Sequence, residues 1–236
     1  MTGLLTERLR QASDNAVALW STLARARGDH VLDRPAFTVI DGRRYRIMLR
    51  TADPGGDAVD ELTGLARARR DEGRAVVVED PFRVLDLRTL GMTAGQLPVM
   101  AREPGPVPEP DGVERAGTPA ELAAVEDLVV HGFPLEEYQP YRPATVLPPE
   151  LLGQGTEFFR KGTQGACVTM AHGGVGGVYW VTTRPEHRSK GVGRALMYAV
   201  LRHFGDLPVT LSASRSGRPL YEKLGFVTLG DADWWR

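Results

Sequence analysis

A mixed α/β fold is predicted by two kinds of pattern. One is an antiparallel hairpin signal near the start of the chain; the other is strand-like runs joined through segments of helical periodicity in both halves. At 236 residues the chain suits one large domain or two small ones. Hydrophobic residues make up 42% and charged residues 25%, which excludes wholesale disorder and a collagen-like chain.

The first helix is expected over residues 5–26, where Leu9, Ala16, Leu19 and Leu23 recur at helical spacing. Strand-like runs at 37–40 and 45–49 flank Asp41-Gly42, a pair that readily takes the positive φ angles of a tight hairpin. Residues 57–70 read as helix, 75–78 as a buried strand, and 82–90 as a helix closed by Gly91. The run AREPGPVPEPD follows, whose prolines at 104, 106, 108 and 110 remove backbone donors and favour an extended linker. The expected organisation is a first half at 1–103, a linker at 104–111 and a second half at 112–236. In the second half Thr118 caps a helix reaching about His131, and Glu121 completes a capping box. Strands are expected at 157–161, 166–171 and 178–183, the last two joined by the cluster Gly173-Gly174-Val175-Gly176-Gly177. Residues 190–204 read as helix, 209–213 as strand, and 219–224 as a short helix between Pro219 and Gly225. A short last strand is expected at 234–236.

With 29 basic against 30 acidic residues, no global charge draws the chain to nucleic acid or anionic lipid. The start MTGLLTERLRQ places Glu7, Arg8 and Arg10 where a secretory signal needs apolar residues, and no run is long and apolar enough for a membrane span. The expected location is therefore cytoplasmic. Cys167, the single cysteine, lies in the apolar run GACVTMA and reads as a buried structural thiol.

The most informative segment is VTTRPEHRSKGVGRALMYAVLRHF, where a strand ends at Thr183 and a helix starts near Lys190. The first N–H groups of a helix have no partner inside it and sit at the positive end of its dipole, which makes an anion site. Gly191 and Gly193 clear the approach of side chains, and Arg188, Lys190 and Arg194 add positive charge. No G-x-x-x-x-G-K-[ST] is present, and Tyr179 stands where a G-x-G-x-x-G motif needs its last glycine.

Arg188-Ser189-Lys190-Gly191-Val192-Gly193 matches an R/Q-x-x-G-x-G/A loop, and Leu220-Tyr221-Glu222-Lys223-Leu224-Gly225-Phe226 an L-Y-x-x-x-G-F segment. On these two motifs residues 112–236 resemble the GCN5-related N-acetyltransferase (GNAT) family, whose tandem members the whole chain resembles in element order. The resemblance implies the GNAT acyl-CoA N-acyltransferase fold, in two GNAT-like lobes, with acetyl-CoA as co-substrate and no metal. The pyrophosphate would lie on Arg188, Ser189, Lys190, Gly191, Val192, Gly193 and Arg194. The pantetheine arm would run beside Val181 to Thr183 like an added strand. Tyr221 would protonate the leaving thiolate, the Val181 N–H would polarise the thioester carbonyl, and Ser214 would contact the pantetheine where the family often has asparagine.

The partner implied is an amine acceptor, with a homodimer left open. The loop at 132–143, with Tyr138, Tyr141, Glu136 and Glu137, reads as an aromatic, mildly acidic acceptor wall suited to a cationic amine. No residue announces itself as general base: His131, Glu136, Glu137, Glu157 and His172 could face the acceptor cleft, but each reads more readily as a surface carboxylate or a satisfied histidine. Sliding Leu90-Gly91-Met92 onto Leu224-Gly225-Phe226 sets Leu87 on Tyr221, and Asp57 and Val59 on Gly191 and Gly193. The first half is thus expected to be a degenerate copy without cofactor chemistry. Two functions stay open at this point: an acetyl-CoA-dependent N-acetyltransferase and a non-catalytic acyl-CoA-binding regulatory or scaffold protein.

Overall fold

The computed structural model describes residues 2–133 and 135–236. In chain order the elements of the first half are α1 (Thr2–Ala26), β1 (His30–Asp33), β2 (Phe37–Asp41), β3 (Tyr45–Leu49), α2 (Gly56–Asp71), β4 (Val76–Asp80) and β5 (Ala94–Arg102). The second half contributes β6 (Glu114–Arg115), α3 (Pro119–Gly132), β7 (Thr156–Lys161), β8 (Gly165–His172), β9 (Val175–Thr183), α4 (Val192–Phe204), β10 (Val209–Ser212), α5 (Arg218–Lys223) and β11 (Val227–Trp235). No helix among the described residues is long and apolar enough to cross a membrane.

The strands form one mixed sheet in the order β1-β2-β3-β4-β11-β5-β10-β9-β8-β7-β6. Its centre is an exchange. β5, from the first half, pairs antiparallel with β10, and β11, from the second half, lies between β5 and β4. The expected stub at 234–236 is therefore wrong: the last strand has nine residues. It lacks the period-2 alternation of a half-buried strand, with Val227 and Thr228 both exposed, because its burial comes from partners remote in sequence.

Further expectations fail in the first half. Strands β1 and β5 are not foreseen from the sequence, and the helix expected at 82–90 is a loop ending in a single 3-10 turn, Arg88–Leu90. Asp80 explains the loop. Its buried carboxylate accepts from the N–H groups of Phe82, Arg83, Val84 and Leu85 at 2.7–3.1 Å, taking the donors a helix needs. Arg83 takes a positive φ of 58° within that turn. The stop residue was read correctly, since Gly91 closes the 3-10 turn at φ 68°.

The hairpin is present, but Asp41 ends β2 and pairs with Tyr45, the turn is residues 42–44, and neither Asp41 nor Gly42 takes the expected positive φ; the capping box of Thr118 and Glu121 is present. Helix α4 fills one side of the second half with Leu196, Met197 and Val200, all fully buried against Val178, Cys167 and Met100. The Cys167 thiol is inaccessible, and burial pushes its pKa up, as a structural thiol requires. Helix α1 lies on the opposite face and spans both halves. Leu19 and Leu23 join the core of α3 and β8, whereas Val17 and Ala24 join Ile40 and Met48 of the first half.

Asn15 fixes α1 on the sheet. Its amide donates to the carbonyls of Met170, His172 and Val175 at 3.0–3.1 Å, and its Oδ1 accepts from the Tyr179 hydroxyl at 2.7 Å. Asn15→Ala strands buried carbonyls and a phenol, so unfolding free energy is expected to fall by about 2–4 kcal/mol. Urea unfolding followed by circular dichroism checks this; a loss below about 0.5 kcal/mol contradicts it.

Candidate active site

Strands β9 and β10 run parallel but are paired only at Val209–Gly176 and Thr210–Gly177. Beyond Gly177 they splay, leaving residues 178–183 of β9 with a free edge on the β10 side. On its other side β9 continues pairing with β8, interrupted by a bulge: Val168 faces Tyr179 and Ala166 faces Thr182. The extra residue is accommodated at Trp180, whose φ of 50° is an outlier for so bulky a side chain. Strain of this kind persists only where the surroundings over-determine it, and it sits beside Val181 at the mouth of the splay.

The chain leaves β9 through a 3-10 turn, Pro185–His187, and enters α4 at Gly191. Ser189 and Gly191 take positive φ angles of 60° and 82°, which turns the loop back over the helix start. No side chain caps α4, and its first internal hydrogen bond runs from Ala195 N–H to the Gly191 carbonyl at 3.0 Å. The N–H groups of Val192, Gly193 and Arg194 are thus left pointing out of the helix end. Val192 itself is buried and anchors the turn. Arg188, Lys190 and Arg194 are exposed around it, and none is paired with a carboxylate among the described residues. Arg188 Nε donates weakly to the Thr183 carbonyl at 3.4 Å. A Cβ on Gly193 would come within 3.2 Å of Leu220 and 4.0 Å of the Thr183 hydroxyl, so the loop, β9 and α5 converge at that glycine.

Tyr221 lies on α5 with its ring edge-on to Phe226 at 5.9 Å. Burial pushes its phenol above the ordinary tyrosine range, because the anion would lose hydration. Tyr221, Val181 and Ser214 line one cleft of about 660 Å³. Ser214 is half committed elsewhere: its hydroxyl accepts from Gly217 N–H at 3.1 Å and lies 3.2 Å from the Ser216 hydroxyl. Thr183 and the residues from Arg188 to Arg194 stand next to this cleft rather than in its lining.

Of the candidate bases with described side chains only Glu137 lines the cleft, and its carboxylate accepts from Arg44 at 3.2 Å. His131 is exposed at the end of α3, against the Asp127 carbonyl at 2.9 Å and the Tyr141 ring. Glu157 faces Arg115 on β7, and His172 ends β8 near a different groove. The Glu136 side chain lies outside the described residues. Tyr138 lines the cleft, but Tyr141 donates to buried Glu126 at 3.1 Å.

Sequence reading missed the far wall. It consists of Trp20 from α1, Arg43, Arg44 and Arg46 from the β2–β3 hairpin, Glu79 from β4 and Trp234 from the exchanged strand β11. The mildly acidic acceptor pocket is thereby corrected: seven arginines face three carboxylates across the lining. The run Arg43-Arg44-Tyr45-Arg46 beside Asp41-Gly42 was the available signal, and only the fold turns it toward Tyr221.

In the first half β3 and β4 are paired at four positions, from Tyr45–Val76 to Met48–Glu79, so no comparable splay opens there. Gly55, at φ 74°, is the residue before α2 as Gly191 is before α4. Aligned on these two helix starts, Asp57 stands at the place of Gly193, two residues from the expected register.

Residues 156–228 match the family model described as acetyltransferase (GNAT) domain. Among solved structures, the chain is similar to a GCN5-related N-acetyltransferase from Kribbella flavida, with TM-score 0.64 and 19% identity over 95% of this chain and 94% of that one. A putative GNAT-family acetyltransferase from Novosphingobium aromaticivorans gives TM-score 0.60 and 17% identity, covering 97% and 96%. A tandem GNAT protein from the clavulanic acid biosynthesis pathway gives TM-score 0.56 and 15% identity, covering 84% and 77%. No curated protein matches the chain.

Proposed function

We propose that this chain, an acyltransferase of the GNAT family by its domain at 156–228 and its fold, moves an acetyl group from acetyl-CoA to a primary amine. The observation that carries the reading is the splay of β9 from β10, with the uncapped start of α4 at one end and Tyr221 at the other. The free N–H and C=O groups of residues 178–183 suit an extended pantetheine arm, which would pair with them as an added strand. The N–H groups of Val192, Gly193 and Arg194, with Arg188, Ser189 and Lys190 around them, suit a pyrophosphate. Ser214 keeps hydroxyl capacity for the pantetheine.

Acetyl-CoA, when bound, supplies an activated thioester carbonyl. Val181 N–H, beside the bulge, is assigned to that carbonyl oxygen, where it stabilises developing negative charge. The amine attacks in its neutral form and gives up one proton to solvent as its C–N bond forms. As the C–S bond breaks, Tyr221 donates its phenolic proton to the departing sulfur and regains one from solvent. The Tyr221 hydroxyl makes no hydrogen bond to another side chain among the described residues, so it is free for this task. In the same reading residues 1–103 are a degenerate GNAT-like lobe, 104–111 a linker and 112–236 the catalytic lobe. The matching element orders and the closed β3–β4 pair support that division.

Acetyl-CoA is expected to stabilise the protein against heat, by about 2.7 kcal/mol at a hundredfold excess over its Kd. Gly193→Glu sets bulk and negative charge at the pyrophosphate and should abolish that shift. A folded variant that binds as well as the parent places the cofactor elsewhere. Free thiol released from acetyl-CoA in the presence of an amine panel then tests transfer itself; stabilisation without release under any amine favours a non-catalytic acyl-CoA binder.

A further inference from the structure

We propose that the acceptor is a primary amine that also carries an anionic group, a carboxylate or a phosphate, held by the arginines of the cleft while the amine reaches the acyl carbonyl. This rests on the transferase reading and names the class of its second substrate. The cleft is continuous from Val181 and Tyr221 to the β2–β3 hairpin. A short chain of contacts links the two ends. Trp180, at the bulge, meets Trp20 edge-to-face at 5.1 Å, and the Arg46 guanidinium lies 4.0 Å above the Trp20 ring.

The charges of this cleft do not cancel. Glu79 is taken by Arg46 and Glu137 by Arg44. Arg27 hydrogen-bonds the Val146 carbonyl and the Tyr138 hydroxyl, has Asp29 and Glu126 as more distant counter-charges, and its pKa is lowered by burial. Arg43 donates to the Glu137 main-chain carbonyl and lies 5.2 Å over the Tyr138 ring, and Arg236 lies 5.9 Å over Trp234. Among the described residues neither Arg43 nor Arg236 forms a salt bridge with a carboxylate, although Arg43 acts on Asp29 at longer range. Asp29 is the one remaining acid of the lining; burial raises its pKa while Arg27 and Arg43 hold it down, so this single carboxylate is shared between two guanidinium groups.

Surplus guanidinium charge among aromatic walls is costly without an anion, and a guanidinium fork fits a carboxylate or phosphate with two parallel hydrogen bonds. The walls of Trp20, Trp180 and Trp234 suit the apolar spacer between the two ends of such a molecule. The same charge repels polyamines and basic side chains.

The test uses the full chain with saturating acetyl-CoA and three matched pairs: β-alanine and propylamine, phenylalanine and phenethylamine, phosphoethanolamine and ethanolamine. Thiol release and the thermal shift of the acetyl-CoA-loaded protein are measured for each. In at least one pair the anionic member is expected to show kcat/KM tenfold or more above its neutral counterpart, and the larger thermal shift. Arg43→Gln with Arg236→Gln should raise KM for that anionic member tenfold with little change in kcat, and leave the shift given by acetyl-CoA alone intact. Equal shifts within every pair, or preference for the neutral members or for spermidine, overturn the inference while acetyl-CoA still stabilises the protein. Absence of any shift by acetyl-CoA removes the transferase reading, and this inference with it.

Discussion

Replacing Tyr221 with phenylalanine is expected to lower kcat about 10²-fold or more and to leave acetyl-CoA affinity nearly unchanged. The substitution keeps the ring against Phe226 and within the core beneath α4, so the fold loses no packing. What disappears is the proton delivered to the departing sulfur. The pH dependence sharpens the test. Burial raises the phenol above its ordinary pKa of about 10, so the acid form persists to higher pH than in a solvated tyrosine. The kcat profile of the parent should therefore show no alkaline fall from this group below about pH 10. Single-turnover measurements on both proteins decide the matter: an unchanged chemical step in the phenylalanine variant rules out the acid role.

Deleting residues 1–111 is expected to leave a second half that does not fold cooperatively. The reason lies in the strand exchange. Residues 112–236 without the first half lose β5, the antiparallel partner of β10, and β11 loses partners on both of its sides. Met100 of β5, fully buried, also leaves the core that α4 and Tyr221 share. Truncating that one side chain, Met100→Ala, should cost about 2–5 kcal/mol. Removing the whole strand therefore approaches the entire stability of a typical domain, about 5–15 kcal/mol. Gel filtration and thermal melting of the fragment provide the check, with Met100→Ala in the full chain as the milder arm. A monodisperse fragment with full activity would show that β5 and α1 are dispensable covers.

Parts of this molecule were legible because their signals are local. The start of α4 needed only Gly191, Gly193 and three nearby cations, and the short helix α5 only Pro219 and Gly225 at its two ends. The capping box at Thr118 involves residues three apart. Cys167 read correctly as buried because its apolar neighbours share its strand. The failures are of another kind. Asp80 diverts four backbone donors from a helix by a side-chain geometry that no periodicity encodes. Strand β11 alternates too weakly to announce itself, since its neighbours come from the other half of the chain.

The same distinction separates the two sides of the cleft. Chain order alone places a flexible glycine loop before a helix and a tyrosine on the next short helix, because backbone freedom, dipole and charge act over a few residues. Those features support the class of cofactor chemistry proposed here. The opposite wall depends on long-range pairing: β4 beside β11, and α1 laid across both halves by Asn15. Only that packing brings Arg43, Arg46, Trp20 and Trp234 to face Tyr221, turning an expected acidic pocket into a basic one. Charge in a cleft is a property of what surrounds the space, and residues remote in sequence become neighbours only when the sheet closes.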